Sequence, residues 1–197
     1  MNILYLTNNK AENLLELPSF MEAYGDKVEI YFEKIDEKFI ISKKIEFIVS
    51  DRYQYIIKKD VIELMKNKII NLHPSYLPWN RGYHSNFWSH YHNTPYGVSI
   101  HYVDEGIDTG KIIAQKRVFF NKKQDTLKTC YKKLRINIVE LFFNNWVFIR
   151  DGKVKVIRHE FKGSHHFKKE LDNIFSMLPK GWDTVIKDII KLGRNNK

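Results

Sequence analysis

Four short runs near the start of the chain are apolar, β-branched or aromatic and are closed by polar residues: Asn2-Ile-Leu-Tyr-Leu6, Val28-Glu-Ile-Tyr-Phe32, Ile45-Glu-Phe-Ile-Val49 and Lys68-Ile-Ile-Asn-Leu72. Each has the length and residue types of a strand. Between the last two, Asp60-Val-Ile-Glu-Leu-Met-Lys-Asn67 sets Val61, Leu64 and Met65 on one helical face, with Asp60 as the expected N-cap. Alternation of strand and helix predicts an α/β protein built on a Rossmann-like, open and mostly parallel sheet. Two further strands are expected over 97–103 and 111–120, then an apolar helix over 126–143. Asp151-Gly152, a hairpin dipeptide, separates the apolar stretches 147–150 and 154–157 and predicts a hairpin there. The remainder changes character. Histidines stand at 159, 165 and 166, a loop follows at Leu178-Pro-Lys-Gly-Trp-Asp-Thr184, and a last helix is expected over 183–192 with Asp183 or Thr184 as N-cap. The expected organisation is a main domain over 1–145 and a hairpin-and-helix annex over 146–197 packed on it.

Composition narrows the class. A chain of 197 residues with 43% hydrophobic content can bury one good core but not two independent ones. The apolar start is broken at Asn8, and no run reaches the roughly 20 apolar residues of a membrane span, so the expectation is a soluble, cytoplasmic protein. The single cysteine, Cys130, rules out an intrachain disulfide and a cysteine-based zinc site and reads as an ordinary thiol on a helix. His165 and His166, adjacent on an extended segment, point to opposite faces, and no metal site is expected. The net charge of +10 suggests an acidic partner: nucleic acid, anionic lipid or a small polyanion. The lysines come in scattered pairs such as Lys43-Lys44 and Lys132-Lys133 rather than one block, which weighs against nucleic acid and fits a solvated surface serving a small anion.

Candidate chemistry lies in two stretches. In Asn71-Leu-His-Pro-Ser-Tyr-Leu-Pro78, a buried strand ends in Asn71, and His73 two positions on projects the same way, at the sheet edge where open α/β proteins bind ligands. Pro74 and Pro78 stiffen the exit loop. An asparagine can donate to a developing oxyanion and a histidine can act as a base near neutral pH, a pair suited to acyl transfer. The second stretch, Ser99-Ile-His-Tyr-Val-Asp-Glu-Gly-Ile-Asp-Thr-Gly110, is carboxylate-rich. Taken alone it reads as a turn between strands; it lacks the ligand spacing of a calcium loop. No dinucleotide fingerprint or phosphate loop occurs anywhere.

Together, Asn71-x-His73 with Pro-Ser-Tyr-Leu-Pro and the later Asp-Glu-Gly-Ile-Asp-Thr-Gly before a strand resemble the 10-formyltetrahydrofolate-dependent formyltransferases. The resemblance covers 45–118 in sequence and is topological before that. It implies the formyltransferase type of α/β fold, with 1–145 as the catalytic domain. It also implies that Asn71, His73 and Asp108 are catalytic. The pterin of the co-substrate 10-formyltetrahydrofolate would lie along Tyr53, Tyr55 and Ile57 and the loop Val103, Asp104, Glu105 and Gly106, with no metal. His101 matches a position near the same pocket, or is a buried strand histidine. Two positions depart from the family: Asp51-Arg52, where an aromatic residue and a glycine are common, and Tyr83-His84-Ser85. The first βα loop, Thr7-Asn-Asn-Lys-Ala-Glu12, has no glycine for a ribonucleotide phosphate, and the length leaves no room for an RNA-binding barrel. The resemblance therefore points to the sugar N-formyltransferases, whose acceptor is the amine of a UDP- or dTDP-linked amino-dideoxy sugar, as in pathways of the pseudaminic acid type. Trp79, Asn80 and Arg81 are the expected substrate contacts: Trp79 against a ring and Arg81 on the diphosphate, with loop packing as the open alternative. A glycinamide-ribonucleotide-like acceptor, a non-catalytic binding role on the same scaffold, and a homodimer remain compatible.

Overall fold

The computed structural model describes residues 1–8, 16–157, 162–178 and 180–195. Most of the first βα loop and His159 lie outside these. In chain order the strands and helices are β1 (Asn2–Leu6), α1 (Glu16–Ala23), β2 (Lys27–Tyr31), α2 (Glu37–Ser42), β3 (Phe47–Ser50), α3 (Lys59–Leu64), β4 (Ile69–His73), β5 (Arg81–Gly82), α4 (Ser85–Tyr91), β6 (Gly97–Tyr102), β7 (Ile112–Arg117), α5 (Leu127–Arg150), β8 (His165–His166), α6 (Lys168–Phe175) and α7 (Ile186–Asn195).

Six strands form one sheet in the order β2-β1-β3-β4-β6-β7. The first four are parallel, and β6 and β7 join antiparallel. Both faces are covered, and successive side chains alternate between them. Ile3, Tyr5, Phe47, Val49, Ile70 and Leu72 face α1 and α5. Leu4, Leu6, Ile48 and Ile69 face α2 and α3. A third cluster joins Phe87 and Trp88 of α4 to Leu127 and Cys130 of α5 and to Leu171, Ile186 and Ile189 of the C-terminal helices. The annex is thus keyed into the molecule by its own core. Among the described residues no helix is long and apolar enough to cross a membrane.

The expected hairpin does not form. The buried positions Leu127, Cys130, Leu134, Ile138, Leu141, Phe142, Trp146 and Ile149 keep helical spacing through the whole of α5, which runs past residue 145. Asp151-Gly152 closes that helix instead. Gly152, at φ +66°, donates to the Ile149 carbonyl and Lys153 to that of Phe148, the two bonds of a Schellman cap. A hairpin turn and a helix end both call for a residue at positive φ, so the dipeptide alone could not tell them apart. Only Ile157 of the expected second arm pairs, with Ile112. Asp60 likewise sits in the first turn of α3 rather than capping it; Lys58 is the N-cap. At the C-terminus neither Asp183 nor Thr184 caps the last helix. Gly181–Asp183 forms its own 3-10 turn, and the Thr184 hydroxyl donates back to the Gly181 carbonyl. Cys130 is fully buried, and burial together with the nearby Asp125 pushes its thiol up to about 12, so it carries no thiolate at neutral pH.

Candidate active site

On β4 the row Ile69, Asn71, His73 shares one face of the sheet, and its chemistry changes from apolar to polar at the carboxyl end of the strand. The antiparallel register sets His101 of β6 opposite Asn71. Beyond β6 the chain must turn back within a few residues to enter β7, and it does so tightly. A Cβ on Gly110 would stand 1.7 Å from the Tyr102 carbonyl oxygen, so only glycine fits. Asp104 shapes the same loop by accepting from the Gly106 amide (3.1 Å) and the Thr109 hydroxyl (2.5 Å). The turn brings Asp108, at φ +51°, back over the end of β4.

Asp108 is the centre of the arrangement. Its Oδ1 accepts from Asn71 Nδ2 at 3.2 Å and lies 3.3 Å from His101 Nε2. Its Oδ2 accepts from the Gly82 backbone amide at 2.9 Å and lies 3.5 Å from His73 Nδ1. Burial alone would raise this carboxyl, but the two imidazoles and the Gly82 amide outweigh it and hold Asp108 far below the usual carboxylate range. For His73 the balance goes the other way. Burial holds the ring below its ordinary 6.5 despite the opposing charge of Asp108, so at neutral pH it is an uncharged base. Its Nδ1 faces the carboxylate, its Nε2 is buried with no hydrogen-bond partner among the described residues, and the Asn80 backbone beside the ring also favours the charged form without outweighing burial. His101 donates from Nδ1 to the Tyr102 carbonyl (2.8 Å), which leaves its Nε2 to take a hydrogen from Asn71 Nδ2 at 3.2 Å. His101 is thus both a buried strand histidine and a member of the cluster.

Sequence reasoning gave Gly82 no role. It clamps Asp108 through its backbone, at φ +84°, and a Cβ there would meet the His166 carbonyl oxygen at 2.4 Å. That carbonyl belongs to β8, which pairs with β5, so the annex supports the site from behind.

The other expected contacts divide. Tyr53 and Tyr55 are half-buried, with ring centroids 5.5 Å apart, and Tyr53 donates its hydroxyl to the Glu33 carbonyl. Ile57 is a core side chain, and the Val103 amide is spent on the Ile69 carbonyl, so both build the walls between the loops. Lys59, the first residue of α3 just after the 51–57 loop, reaches Glu105 of the 103–108 loop at 3.0 Å. Asn80, expected as a substrate contact, is fully buried, and its amide donates to the hydroxyls of Ser89 and Thr94 inside the protein, which holds the loop's shape. Arg81 donates to the carbonyls of Lys162 and Ser164, a packing role against the annex. Trp79 is half-buried beside them, its carbonyl accepting from the Ser75 hydroxyl.

The departure at Asp51 has a structural explanation that sequence reasoning missed. Its carboxylate is fully buried and takes both guanidinium nitrogens of Arg135 (2.6 and 2.7 Å) and the Tyr5 hydroxyl (2.7 Å). The partner stands 84 positions away, so no local pattern could announce it.

Comparison with known proteins fits this geometry. Residues 24–144 match the Formyl transferase family. The chain belongs to that family. Among solved structures it is similar to the formyltransferase PseJ from Anoxybacillus kamchatkensis, determined with UDP-4,6-dideoxy-4-formamido-L-AltNAc and tetrahydrofolate, at 40% identity and TM-score 0.91 over 98% of this chain and 100% of that one. A 4-N formyltransferase from Francisella tularensis shares the fold, at 21% identity and TM-score 0.77 over 96% and 86% of the two chains. The dTDP-4-amino-4,6-dideoxyglucose formyltransferase of Mycobacterium bovis is 29% identical over 54% of this chain and 45% of its own length. The chain thus spans about half the length of the curated relatives it matches. The mixed six-stranded sheet with helices on both faces is the fold these formyltransferases share.

Proposed function

We propose that this member of the family transfers a formyl group from 10-formyltetrahydrofolate to the amino group of a nucleotide-linked amino-dideoxy sugar in the cytoplasm. The observation that carries the reading is His73: a buried, uncharged imidazole whose Nε2 has no partner among the described residues while its Nδ1 faces a carboxylate, beside an amide donor. That is the equipment for taking a proton from an amine while an oxyanion forms nearby. The UDP-linked formamido sugar and tetrahydrofolate held by the similar PseJ support the choice of acceptor and donor.

The amine nitrogen attacks the formyl carbon and a C–N bond forms as the carbonyl oxygen gains charge. His73 Nε2 takes the amine proton, and the imidazolium then faces Asp108, which is already ionised and stabilises it. Asn71 donates to the oxygen. Its two Nδ2 hydrogens are directed to Asp108 and His101, so one must be released. Releasing the one now shared with the neutral His101 Nε2 leaves the bond to Asp108 in place to orient the amide. Collapse restores the carbonyl, breaks the bond to the folate nitrogen, and returns the proton from His73 to that leaving nitrogen. The facing 51–57 and 103–108 loops, beside the Lys59–Glu105 pair, are where the pterin would lie.

The test is tetrahydrofolate release from 10-formyltetrahydrofolate with a panel of UDP- and dTDP-linked amino sugars. Turnover with at least one is expected. Release with none of them, alongside tight and steeply salt-sensitive RNA binding, would overturn the reading in favour of a binding protein.

A further inference from the structure

Leu178 and the described residues 180–184 take no part in the chemistry above, yet they are held by several bonds. Leu178 is buried in the annex core. Gly181, at φ +47°, donates to the Leu178 carbonyl, and its own carbonyl accepts from both the amide and the hydroxyl of Thr184. The Thr184 carbonyl in turn accepts from the Leu127 amide at the start of α5. What this scaffold presents is Trp182, which remains 40% exposed.

Trp182 is not an isolated surface aromatic. Its ring lies 4.8 Å from Phe175 and 5.7 Å from His84. His84 follows Tyr83, which is 48% exposed, and both come immediately after Gly82, the residue that clamps Asp108. A continuous aromatic shelf therefore begins at the edge of the candidate active site and ends on an indole. Charge accompanies it: Lys168 and Asp172 of α6 both act on the His84 ring, and Lys168 makes no ion pair with a described residue. Clustered exposed aromatics beside a site mark a binding surface, whereas single ones need no explanation.

We infer that this shelf, centred on Trp182, is the subsite for the nucleoside diphosphate of the acceptor, with the base stacked on the indole and Lys168 drawing the phosphates. Planar bases stack on aromatic faces whatever their hydrogen-bonding edges, and a cation part-way along the shelf suits phosphates lying between base and sugar. The shelf assigns Trp182 the stacking role that the sequence reading gave to Trp79. It also supplies a cation besides Arg81, two of whose guanidinium nitrogens donate to the annex. The inference rests on the nucleotide-sugar reading, but its test does not depend on turnover.

The experiment is calorimetric titration of the whole protein with UDP and dTDP, in wild type and in the Trp182→Tyr, Trp182→Leu and Lys168→Ala variants. Leucine keeps apolar bulk without an aromatic face, so it separates stacking from packing. Trp182→Leu and Lys168→Ala should each weaken nucleotide binding by about tenfold, while Trp182→Tyr stays within about threefold of wild type. In turnover, Trp182→Leu should raise KM for the nucleotide sugar and leave kcat nearly unchanged. A wild type that binds neither nucleotide, or a leucine variant that binds them as tightly, overturns the shelf. Nucleotide binding that depends on Trp182 in a protein that formylates no nucleotide sugar would leave the shelf standing and remove the reaction.

Discussion

Two buried aspartates stand near the carboxyl edge of the sheet, and they are held in opposite ways. The Asp51 carboxylate is saturated: three bonds of 2.6 to 2.7 Å from Arg135 and Tyr5, with the Arg52 guanidinium a further 3.5 Å contact. Asp108 is held by bonds of 2.9 and 3.2 Å and by two imidazoles at 3.3 and 3.5 Å, one of which keeps a buried nitrogen without a partner. A network with every group satisfied fixes a backbone, while one that leaves a titratable atom unsatisfied bears a cost that is understandable where chemistry is done. The first should therefore report on stability and the second on rate.

The sharpest way to break that contrast is to remove one member of each. His73→Asn and Asp108→Ala should lower turnover about a hundredfold to ten-thousandfold, with melting temperatures close to wild type. Wild-type rates in either variant would show that the cluster is structural like its counterpart. Arg135→Met should do the reverse, costing about 3–5 kcal/mol of stability by stranding a buried carboxylate. Denaturant unfolding measures this, and kcat of the surviving folded fraction should change little. Adding Asp51→Leu to that variant should recover part of the loss, because it removes the stranded carboxylate and leaves only the less buried Arg52 to find another partner. If the double variant is as unstable as the sum of the singles, the two side chains are not the unit described here.

The same contrast explains what could be read in advance. Asn71 and His73 were legible because they sit two apart on a strand, where period alone puts them on one face, and Asp108 because it lies in a motif of several residues. The strands were legible from their apolar runs, which alternate between two buried faces. What could not be seen is held by distant partners or by backbone. Arg135 completes Asp51 across most of the domain, and Gly82 grips Asp108 with a main-chain amide that no side-chain pattern encodes. The false hairpin at Asp151-Gly152 has another cause: the local turn signal is shared by a helix end, and only the continued burial of Trp146 and Ile149 decides between them. Asn80 and Arg81 were expected as substrate contacts from the resemblance of their run, and a run of residues does not reveal that the Asn80 amide is bonded inside the protein or that Arg81 also reaches the annex.

A smaller effect tests the electrostatic half of the comparison. Turnover needs His73 uncharged, and burial holds its titration below 6.5 while the charge of Asp108 pulls it up. Rate should thus fall on the acid side as pH drops through the folded value, and at pH 6.5 more than half of the His73 population is still the free base. At saturating substrates kcat at that pH should exceed half its plateau. Asp108→Asn removes the charge that raises His73, so the acid limb of its residual activity should move to lower pH. Arg135→Met leaves that charge in place, and its limb should stay where the wild type's is. The amine of the acceptor titrates too, but it is common to all three proteins, so the displacement between variants isolates the imidazole. A limb unmoved by Asp108→Asn, or one displaced by Arg135→Met, would mean that the two aspartates are not electrostatically separate.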